Sequence, residues 1–282
     1  MEPIDVLGID FHPVKAQTMF LGTDKGGWIY SSQRPRHEVR LPDYYIMNTP
    51  LSERDVALLS GTEGGNPEAL FNVEVEALKR ILQASNAAVE QGIEGLDSAT
   101  RWEVRNPTES EWRCAEAELG LGLEKKQIEI LADAVNSNYR GAMMDGRPRR
   151  FEGIGPMALH RAAIETHPSK EGITALSSVP LDRPIEGVVA RLVVAQIREG
   201  PEKKVPVAAD MAANIRMELI CTLLLGVIPS FAIPVLRGMG DYAFTGWANL
   251  LFGGLCAGFV TGAFWRPRRP TIAFDDVESK IP

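Results

Sequence analysis

The sequence has few cysteines and few histidines. It contains three cysteines and four histidines in 282 residues, with no CxxC pair and no HxH or HxxxH arrangement. So few cysteines exclude a disulfide framework and a structural zinc site. They are typical of a protein from a reducing compartment. We therefore predict no metal site in this chain.

Long basic runs are missing too. No run of Lys or Arg exceeds two residues, and the formal net charge is −7. A nucleic-acid surface needs a basic stripe, so no nucleic-acid partner is expected. The N-terminus has no basic region followed by an apolar one, which predicts that there is no cleavable signal peptide. The 45% apolar content excludes a disordered chain.

What the sequence does contain is two long apolar runs without a charge, at 219–236 and 242–265. About 20 apolar residues in a helix cross the hydrocarbon core of a bilayer. We predict membrane helices over 217–236 and 242–265, joined by a loop at 237–241. The first run contains Pro229 and Pro234, which bend a helix, so a buried core helix is the alternative for it.

The basic residues around these runs predict their orientation. The loop has only Arg237, whereas both outer flanks are basic, with Arg198, Lys203, Lys204 and Arg216 before the hairpin and Arg266, Arg268, Arg269 and Lys280 after it. Positively charged flanks stay in the cytoplasm. We expect an integral membrane protein whose globular domain and both termini are cytoplasmic.

Three glycines recur every four residues in the second run, at Gly254, Gly258 and Gly262. Small residues at this spacing line one helix face and let another helix approach closely. The neighbour could be the first helix, which carries Gly226, or a helix of another subunit or of a second copy. Neither run contains Asp, Glu, Lys, Arg or His, so an anchor or assembly surface is favoured over a transport path.

The chain is therefore divided into a globular domain at 1–198, a linker at 199–216, the hairpin, and a cytoplasmic tail at 266–282. Within the domain, alternation predicts strands at His37–Leu41 and from Tyr44. Helical spacing predicts helices at Val73–Val89 and Lys125–Val135. Thr108 and Glu111 have the spacing of a capping box at the start of another helix. The Val-rich run 187–197 predicts a closing strand.

In their order, several segments resemble the formylglycine-generating (sulfatase-modifying factor) family. They are Phe20-Leu21-Gly22, the region 34–46 followed by Thr49-Pro50-Leu51-Ser52, and Arg105-Asn106-Pro107-Thr108-Glu109-Ser110-Glu111-Trp112. The family carries PxHxVxLxxFxI and later RLPTEAEWE; here Asn106 and Ser110 replace the usual Leu and Ala. Arg150-Phe151-Glu152-Gly153 and Gly187–Val193 are more loosely similar to its RGGSW and GFRLV. The resemblance covers most of residues 18–198.

This resemblance implies an α+β fold: an irregular domain like formylglycine-generating enzymes and C-type lectins, here followed by an α-helical transmembrane hairpin. Its framework positions would be His37, Arg105, Pro107, Thr108, Glu109, Glu111 and Trp112. The family's oxidases bind copper through two cysteine thiolates late in the domain. Cys114 is the one cysteine of the globular part and is interpreted as a buried structural thiol. We expect no catalytic residue and no cofactor of this kind.

These observations favour a non-catalytic, membrane-tethered binding or structural subunit of a larger membrane assembly, a pseudoenzyme of the family. Membrane lipid and other membrane subunits, or a second copy through the glycine face, are the expected partners. One alternative is a membrane-anchored oxidoreductase or other metal-assisted enzyme with a non-cysteine centre, for which His160 and His167 would be the candidates. Another is a ligand-recognition module with contacts in the loops 22–32 and 142–150, although the basic Arg147–Arg150 patch is also suited to anionic lipid headgroups.

Overall fold

The computed structural model describes residues 1–151, 155–167, 169, 172–183 and 185–277. Glu152, Gly153 and Lys280, which entered the sequence arguments, lie outside the described residues. The chain is a mixed α+β protein with two long apolar helices near its C-terminal end. The general α+β prediction is confirmed.

The first sheet is antiparallel and joins distant parts of the chain. Its strand order is β1, β2, β5, β11, β6, with ranges Ile4–Val6, Ile9–Val14, Tyr44–Ile46, Val193–Gln196 and Trp102–Arg105. Val193 of β11 is paired with Ile46 on one side and with Arg105 on the other. The last strand of the domain is therefore an interior strand of this sheet, between β5 and β6.

The second sheet has the order β10, β7, β8, β9, with ranges Val188–Val189, Ile128–Ala134, His160–Thr166 and Thr174–Pro180. The helix predicted at Lys125–Val135 is wrong, because β7 occupies this segment. Consecutive residues Glu129, Ile130 and Leu131 are all buried, since β7 is covered on both faces.

A short third sheet pairs β3 (Gln17–Leu21) with β4 (His37–Leu41). The strand predicted at His37–Leu41 is confirmed. The described part of the predicted tail at 266–282 packs on the domain. Ile272 runs parallel to β4 beside His37. Glu38 N–H donates to Ile272 O at 2.9 Å, and Arg40 forms an ion pair with Asp275 at 2.6 Å.

Three helices pack on these sheets: α1 (Glu53–Leu59), α2 (Val75–Gln91) and α3 (Glu109–Leu119). The helix predicted at Val73–Val89 is confirmed, with ends shifted by two residues. The Asn86 side chain of α2 bonds both backbone groups of Val104, at 2.8 Å each, which fixes this helix on β6. Phe11, Leu51 and Ile81 lie in the main core beside it.

The first apolar helix consists of α4 (Met211–Thr222), a π turn (Leu223–Val227) and α5 (Ile228–Leu236). It begins at Met211 rather than at 217, because the Asp210 side chain caps it by accepting from Ala213 N–H at 2.9 Å. The π turn precedes Pro229, which has no N–H to donate to the carbonyl four residues back.

Part of the predicted linker at 199–216 belongs to the domain. Val205 is fully buried, and its N–H donates to Ala142 O at 2.9 Å. The predicted linker is therefore wrong. Its first part is an edge segment of the domain, and its second part, from Met211, belongs to the first apolar helix.

The second apolar helix is interrupted. The range predicted as one helix, 242–265, contains α6 (Gly240–Thr245) and α7 (Trp247–Phe264), with the break at Gly246. Both Met211–Leu236 and Trp247–Phe264 are long and apolar enough to span a membrane. Only 17% of the most apolar window of each is buried, so neither is a core helix of the domain.

The glycine face of α7 packs against the first apolar helix of the same chain. A Cβ on Gly254 would lie 2.7 Å from Ser230 Oγ and 2.8 Å from Gly226 O, and a Cβ on Gly258 would lie 3.0 Å from Thr222. These two positions need glycine because the helices touch there. Another subunit would have to contact the hairpin on a different face.

Gly262 has another role. A Cβ there would lie 2.8 Å from the Arg266 guanidinium carbon, so this glycine makes room for a side chain rather than for a helix. Arg266 turns inward: its Nε lies 2.8 Å from Glu218 Oε2 and its Nη2 donates to Gly258 O at 3.1 Å. The guanidinium thus joins both apolar helices at their domain end.

Candidate functional site

The segment from Arg105 to Trp112 forms the turn between β6 and α3. Thr108 Oγ accepts from Glu111 N–H at 3.3 Å, and Glu111 Oε2 accepts from Thr108 N–H at 2.9 Å, which confirms the capping box. Arg105 holds the same carboxylate with two bonds of 2.7 and 2.8 Å. Because Glu111 is 1% exposed and is used by these contacts, its role is structural.

A second buried ion pair lies behind this turn. Arg191 Nε lies 3.1 Å from Glu129 Oε1, and both side chains are 0% exposed. Burial raises the pKa of Glu129. The positive charge of Arg191 and the Trp112 indole lower this pKa, but by less than burial raises it. Asn106 donates to Arg191 O at 3.1 Å and so links the pair to the turn.

The outer side of the turn borders a cavity of about 100 Å³. Its polar wall includes His37, Thr108, Glu109, Asp133 and Tyr139, and its apolar wall includes Leu21. Three of the framework positions predicted from the sequence, His37, Thr108 and Glu109, therefore meet at one cavity. Arg105, Glu111, Pro107 and Trp112 lie in or behind the turn and are not part of the cavity wall.

Glu109 is a buried carboxyl of the cavity wall with a raised pKa. Burial raises its pKa to about 7, and the hydrogen bond from Tyr139 and the Arg113 charge act in the opposite direction. Tyr139 OH donates to Glu109 Oε1 at 2.7 Å. At neutral pH this side chain therefore exchanges between a neutral and a charged form.

Asp133 connects two parts of the cavity wall, the start of α3 and the loop that contains Arg149. It accepts from the backbone N–H groups of Glu109 and Arg149 at 2.7 Å each. Burial raises its pKa, and these two bonds act against that shift. Because the carboxylate is taken up by backbone donors, it positions the start of α3 rather than presenting a free charge to a ligand.

His37 presents an acceptor to this region. Its Nδ1 lies 3.1 Å from Pro35 O, and since a carbonyl can only accept, Nδ1 carries the proton and Nε2 is the unprotonated nitrogen. Nε2 has no hydrogen-bond partner among the described residues. Burial lowers the pKa of this imidazole, so the ring is neutral, and it packs on Tyr139 with ring centres 5.2 Å apart.

The cavity continues into an outer cleft of about 790 Å³. Leu21, Glu109 and Tyr139 belong to both walls, and β9 adds Thr174. Arg113 borders the cleft and donates to Thr174 Oγ1. Glu109 therefore stands between an open cleft and a small inner cavity, a position suited to binding a polar group.

The two loops expected to carry ligand contacts both reach the cavity, through Ser32 and Ala142. Within the basic patch, however, Arg147 pairs with Asp145 at 3.0 Å and Arg149 donates to Asn138 O at 2.9 Å. These two arginines brace the loop, which leaves Arg150 as the exposed residue of the patch.

The histidines considered for a metal lie apart. His160 begins β8 and His167 follows its end, which at about 3.3 Å per residue separates them by roughly 20 Å. Among the residues that the structure describes, no group of three or more His, Cys, Asp or Glu is placed to hold a metal ion. Cys114, Cys221 and Cys256 are all free.

Sequence reasoning missed Asp133 and Tyr139. Asp133 lies in the segment predicted as a helix, and Tyr139 lies in the loop after β7. Neither has a local motif, because both reach Glu109 only through the tertiary fold.

The comparisons with known proteins are limited. No family model and no curated protein matches the sequence. Among solved structures, PvdO from Pseudomonas aeruginosa is 13% identical, with a TM-score of 0.47, and the match covers 66% of this chain and 94% of that chain. Treponema denticola variable protein 1 is 15% identical, with a TM-score of 0.44 and coverages of 68% and 98%. At these TM-scores the likeness assigns neither a family nor an activity.

Proposed function

We propose that this chain is a non-catalytic, membrane-tethered binding subunit of a larger membrane assembly, with a globular domain of the formylglycine-generating-enzyme and C-type-lectin kind. The cleft beside Glu109 would receive a polar group of the ligand, and the apolar hairpin would hold the domain at the bilayer.

The observation that carries the proposal is the firm attachment of the hairpin to the domain. Arg266, whose side chain is 1% exposed, joins Glu218 of α4 to the end of α7 and also lies over the Trp28 ring of the domain, 5.9 Å from its centre. Trp28 of the domain packs edge-on against Phe259 of α7, with ring centres 4.7 Å apart. A flexible tether would need no such contacts, whereas a subunit that presents its cleft in a fixed direction does.

The orientation proposed for the hairpin is the one that its charges favour. Arg237 lies at the tip, while Arg216, Arg268 and Arg269 lie at the end that joins the domain. Under the positive-inside rule, the domain and both termini are cytoplasmic.

Gly262→Ala tests the importance of this attachment. The added methyl group would push Arg266 out of its place, at a cost of about 1–3 kcal/mol for overpacking. When the tagged full chain is extracted from native membranes in mild detergent, we expect the parent protein to carry a partner at fixed stoichiometry. Gly262→Ala should lose most of that partner.

Gly253→Ala is the matched control, because it adds the same methyl group to the same helix where nothing lies within 4 Å. It should retain the partner. A parent protein that purifies as a lone monomer would contradict the proposed function, and equal retention by both variants would contradict the role given to the attachment.

A second candidate, an acid–base enzyme, is favoured by the Glu109 carboxyl. Groups with a pKa near 7 that border a cleft are frequent in active sites. Glu109→Gln distinguishes the two functions. A binding subunit should keep its partner in this variant, because the amide oxygen still accepts from Tyr139. An acid–base catalyst should lose its activity, because the amide cannot exchange a proton.

The pH dependence of stability is a direct expectation from Glu109. Its folded pKa of about 7 lies above the ordinary 4.5, so its contribution is fully present below about pH 4.5 and is lost as the pH rises through 7. This loss amounts to about 2–3 kcal/mol between roughly pH 5 and pH 8. Urea unfolding should show a larger fall in the parent than in Glu109→Gln, because the raised pKa values of Asp133 and Glu129 act in both proteins.

Glu116→Gln is the control on the same helix, since its side chain is 30% exposed. It should leave the pH dependence unchanged. A Glu109→Gln protein that still loses stability over this pH range by the parent's amount would show that another group is responsible.

A further inference from the structure

The segment 25–33, which we name the tryptophan loop, lies alongside the last turns of α7. The Trp28 ring meets Phe259, and a Cβ on Gly27 would lie 2.7 Å from the backbone of Phe264. Close approach therefore requires glycine at position 27. The loop is fixed to the helix by its backbone as well as by its aromatic ring.

The position of this contact along α7 gives the depth at which Trp28 would lie in a bilayer. Phe259 lies five residues before Phe264, the end of the helix, which at 1.5 Å per residue is about 8 Å. Side chains that lie on a membrane enter the boundary between headgroups and acyl chains to about 5–10 Å. If α7 spans the bilayer, Trp28 is at that depth.

The side chains of the loop, with Ile29 exposed and Tyr30 half-buried, have the composition of a membrane interface. Ile29 is 52% exposed although it is apolar, and Tyr30 follows it. Trp and Tyr are enriched at this level of a bilayer because their rings are apolar at one end and polar at the other. Lys25 lies over the Tyr30 ring, 4.7 Å from its centre, and is itself exposed.

The surrounding charge is positive. Exposed Lys25 and Arg268 are opposed by Asp24, which lies 3.0 Å from Arg268, and by Glu218, which is already paired with Arg266. The Arg268 side chain is 80% exposed, so its pair with Asp24 is a weak surface contact. A surplus of positive charge beside exposed apolar residues fits an anionic lipid surface.

We propose that the tryptophan loop is a second point of membrane contact, which inserts Ile29 into the leaflet that α7 leaves and places Lys25 and Arg268 on the phosphates of anionic lipids. The inference rests on the membrane-spanning hairpin of the proposed function. It adds that the domain lies down on the bilayer surface, so that its rotation about the hairpin is restricted.

Nitroxide-lipid quenching of a fluorescent thiol label tests this contact in the full chain. The chain would be reconstituted in vesicles of phosphatidylcholine, with and without phosphatidylglycerol. Ile29→Cys in a Cys256→Ala background carries the label, because Cys114 and Cys221 are buried. We expect emission shifted to the blue and quenching by lipid nitroxides, both stronger with phosphatidylglycerol.

Leu58→Cys in the same background is the matched control, since Leu58 is an exposed leucine on α1 at 40% exposure. Its label should be quenched only from water. In Lys25→Gln with Arg268→Gln, the difference between the two lipid compositions at residue 29 should be lost. A label at residue 29 that behaves like the one at residue 58 would overturn the proposal.

Labelling of native Cys256 separates this failure from a failure of the proposed function. Cys256 is exposed on α7, so lipid quenching there reports insertion of the hairpin alone. Quenching at Cys256 without quenching at residue 29 overturns only the loop contact. No quenching at either residue overturns the membrane-spanning hairpin itself. A residue 29 shielded from both lipid and water quenchers would show that protein covers the loop instead.

Discussion

Replacing Arg191 with methionine is expected to lower the free energy of unfolding by about 3–5 kcal/mol, because it leaves the Glu129 carboxylate buried without its charge partner. Both side chains are 0% exposed, so water cannot take the place of the guanidinium. Arg191 also donates to Asn48 O at 2.9 Å, and this bond is lost as well. Chemical unfolding of the full chain in detergent, followed by the near-ultraviolet signal of buried Trp112, measures the effect.

The double variant Arg191→Met with Glu129→Leu should recover most of this loss, because removing both charges leaves no uncompensated one. Arg101→Met is the control. Its ion pair with Glu199 has both side chains more than 70% exposed, and its removal should cost below about 1 kcal/mol. An Arg191→Met protein as stable as Arg101→Met would show that the pair does not hold the domain together.

Glu111→Ala is expected to cost about 3–5 kcal/mol, since it removes the side-chain acceptor for Thr108 N–H in the capping box and half of a buried ion pair. Arg105, 13% exposed at its side chain, would keep Glu103 as its carboxylate partner among the described residues and the bond to Asn106 O. Glu111→Gln should lie between the parent and the alanine variant, because the amide oxygen still accepts a hydrogen bond but carries no charge. Thermal and urea unfolding measure the series.

The control for this series is Glu116→Ala, which removes a carboxylate from the same helix. Glu116 is 30% exposed and its bond to Arg113 is long, at 3.4 Å, so we expect a loss below about 1 kcal/mol. Equal losses in Glu111→Ala and Glu116→Ala would refute the structural role of the capping box.

Local patterns in the sequence predicted those parts of the fold that local chemistry determines. The Thr108 and Glu111 capping box needs only neighbouring residues, and so does the alternation of His37–Leu41. The β7 strand was mistaken for a helix because its polar residues do not alternate with apolar ones. Glu129 is buried through its pairing with Arg191, a partner far along the chain that no local pattern reveals.

The candidate site was accessible from the sequence only in part. His37 and Glu109 belong to the quoted motifs, whereas Tyr139, which bonds Glu109 and packs on His37, comes from a loop without a motif. In the hairpin, the positive-inside rule counts Arg266 among the charged residues that flank the apolar runs. Its inward turn depends on the space that Gly262 leaves, which only the packed structure shows.

The return of the chain to β4 after the hairpin sets an order of biosynthesis. Residues 272–275 leave the ribosome after both apolar helices, yet they pair with His37–Leu41 near the start of the chain. If the hairpin spans a membrane as proposed, the Glu38 end of the β4 edge stays open while the hairpin is inserted, whereas the Arg40 end already bonds Met144 O at 2.8 Å. A chain whose hairpin fails to insert would keep the Glu38 end of this strand edge unpaired, the kind of surface that aggregates.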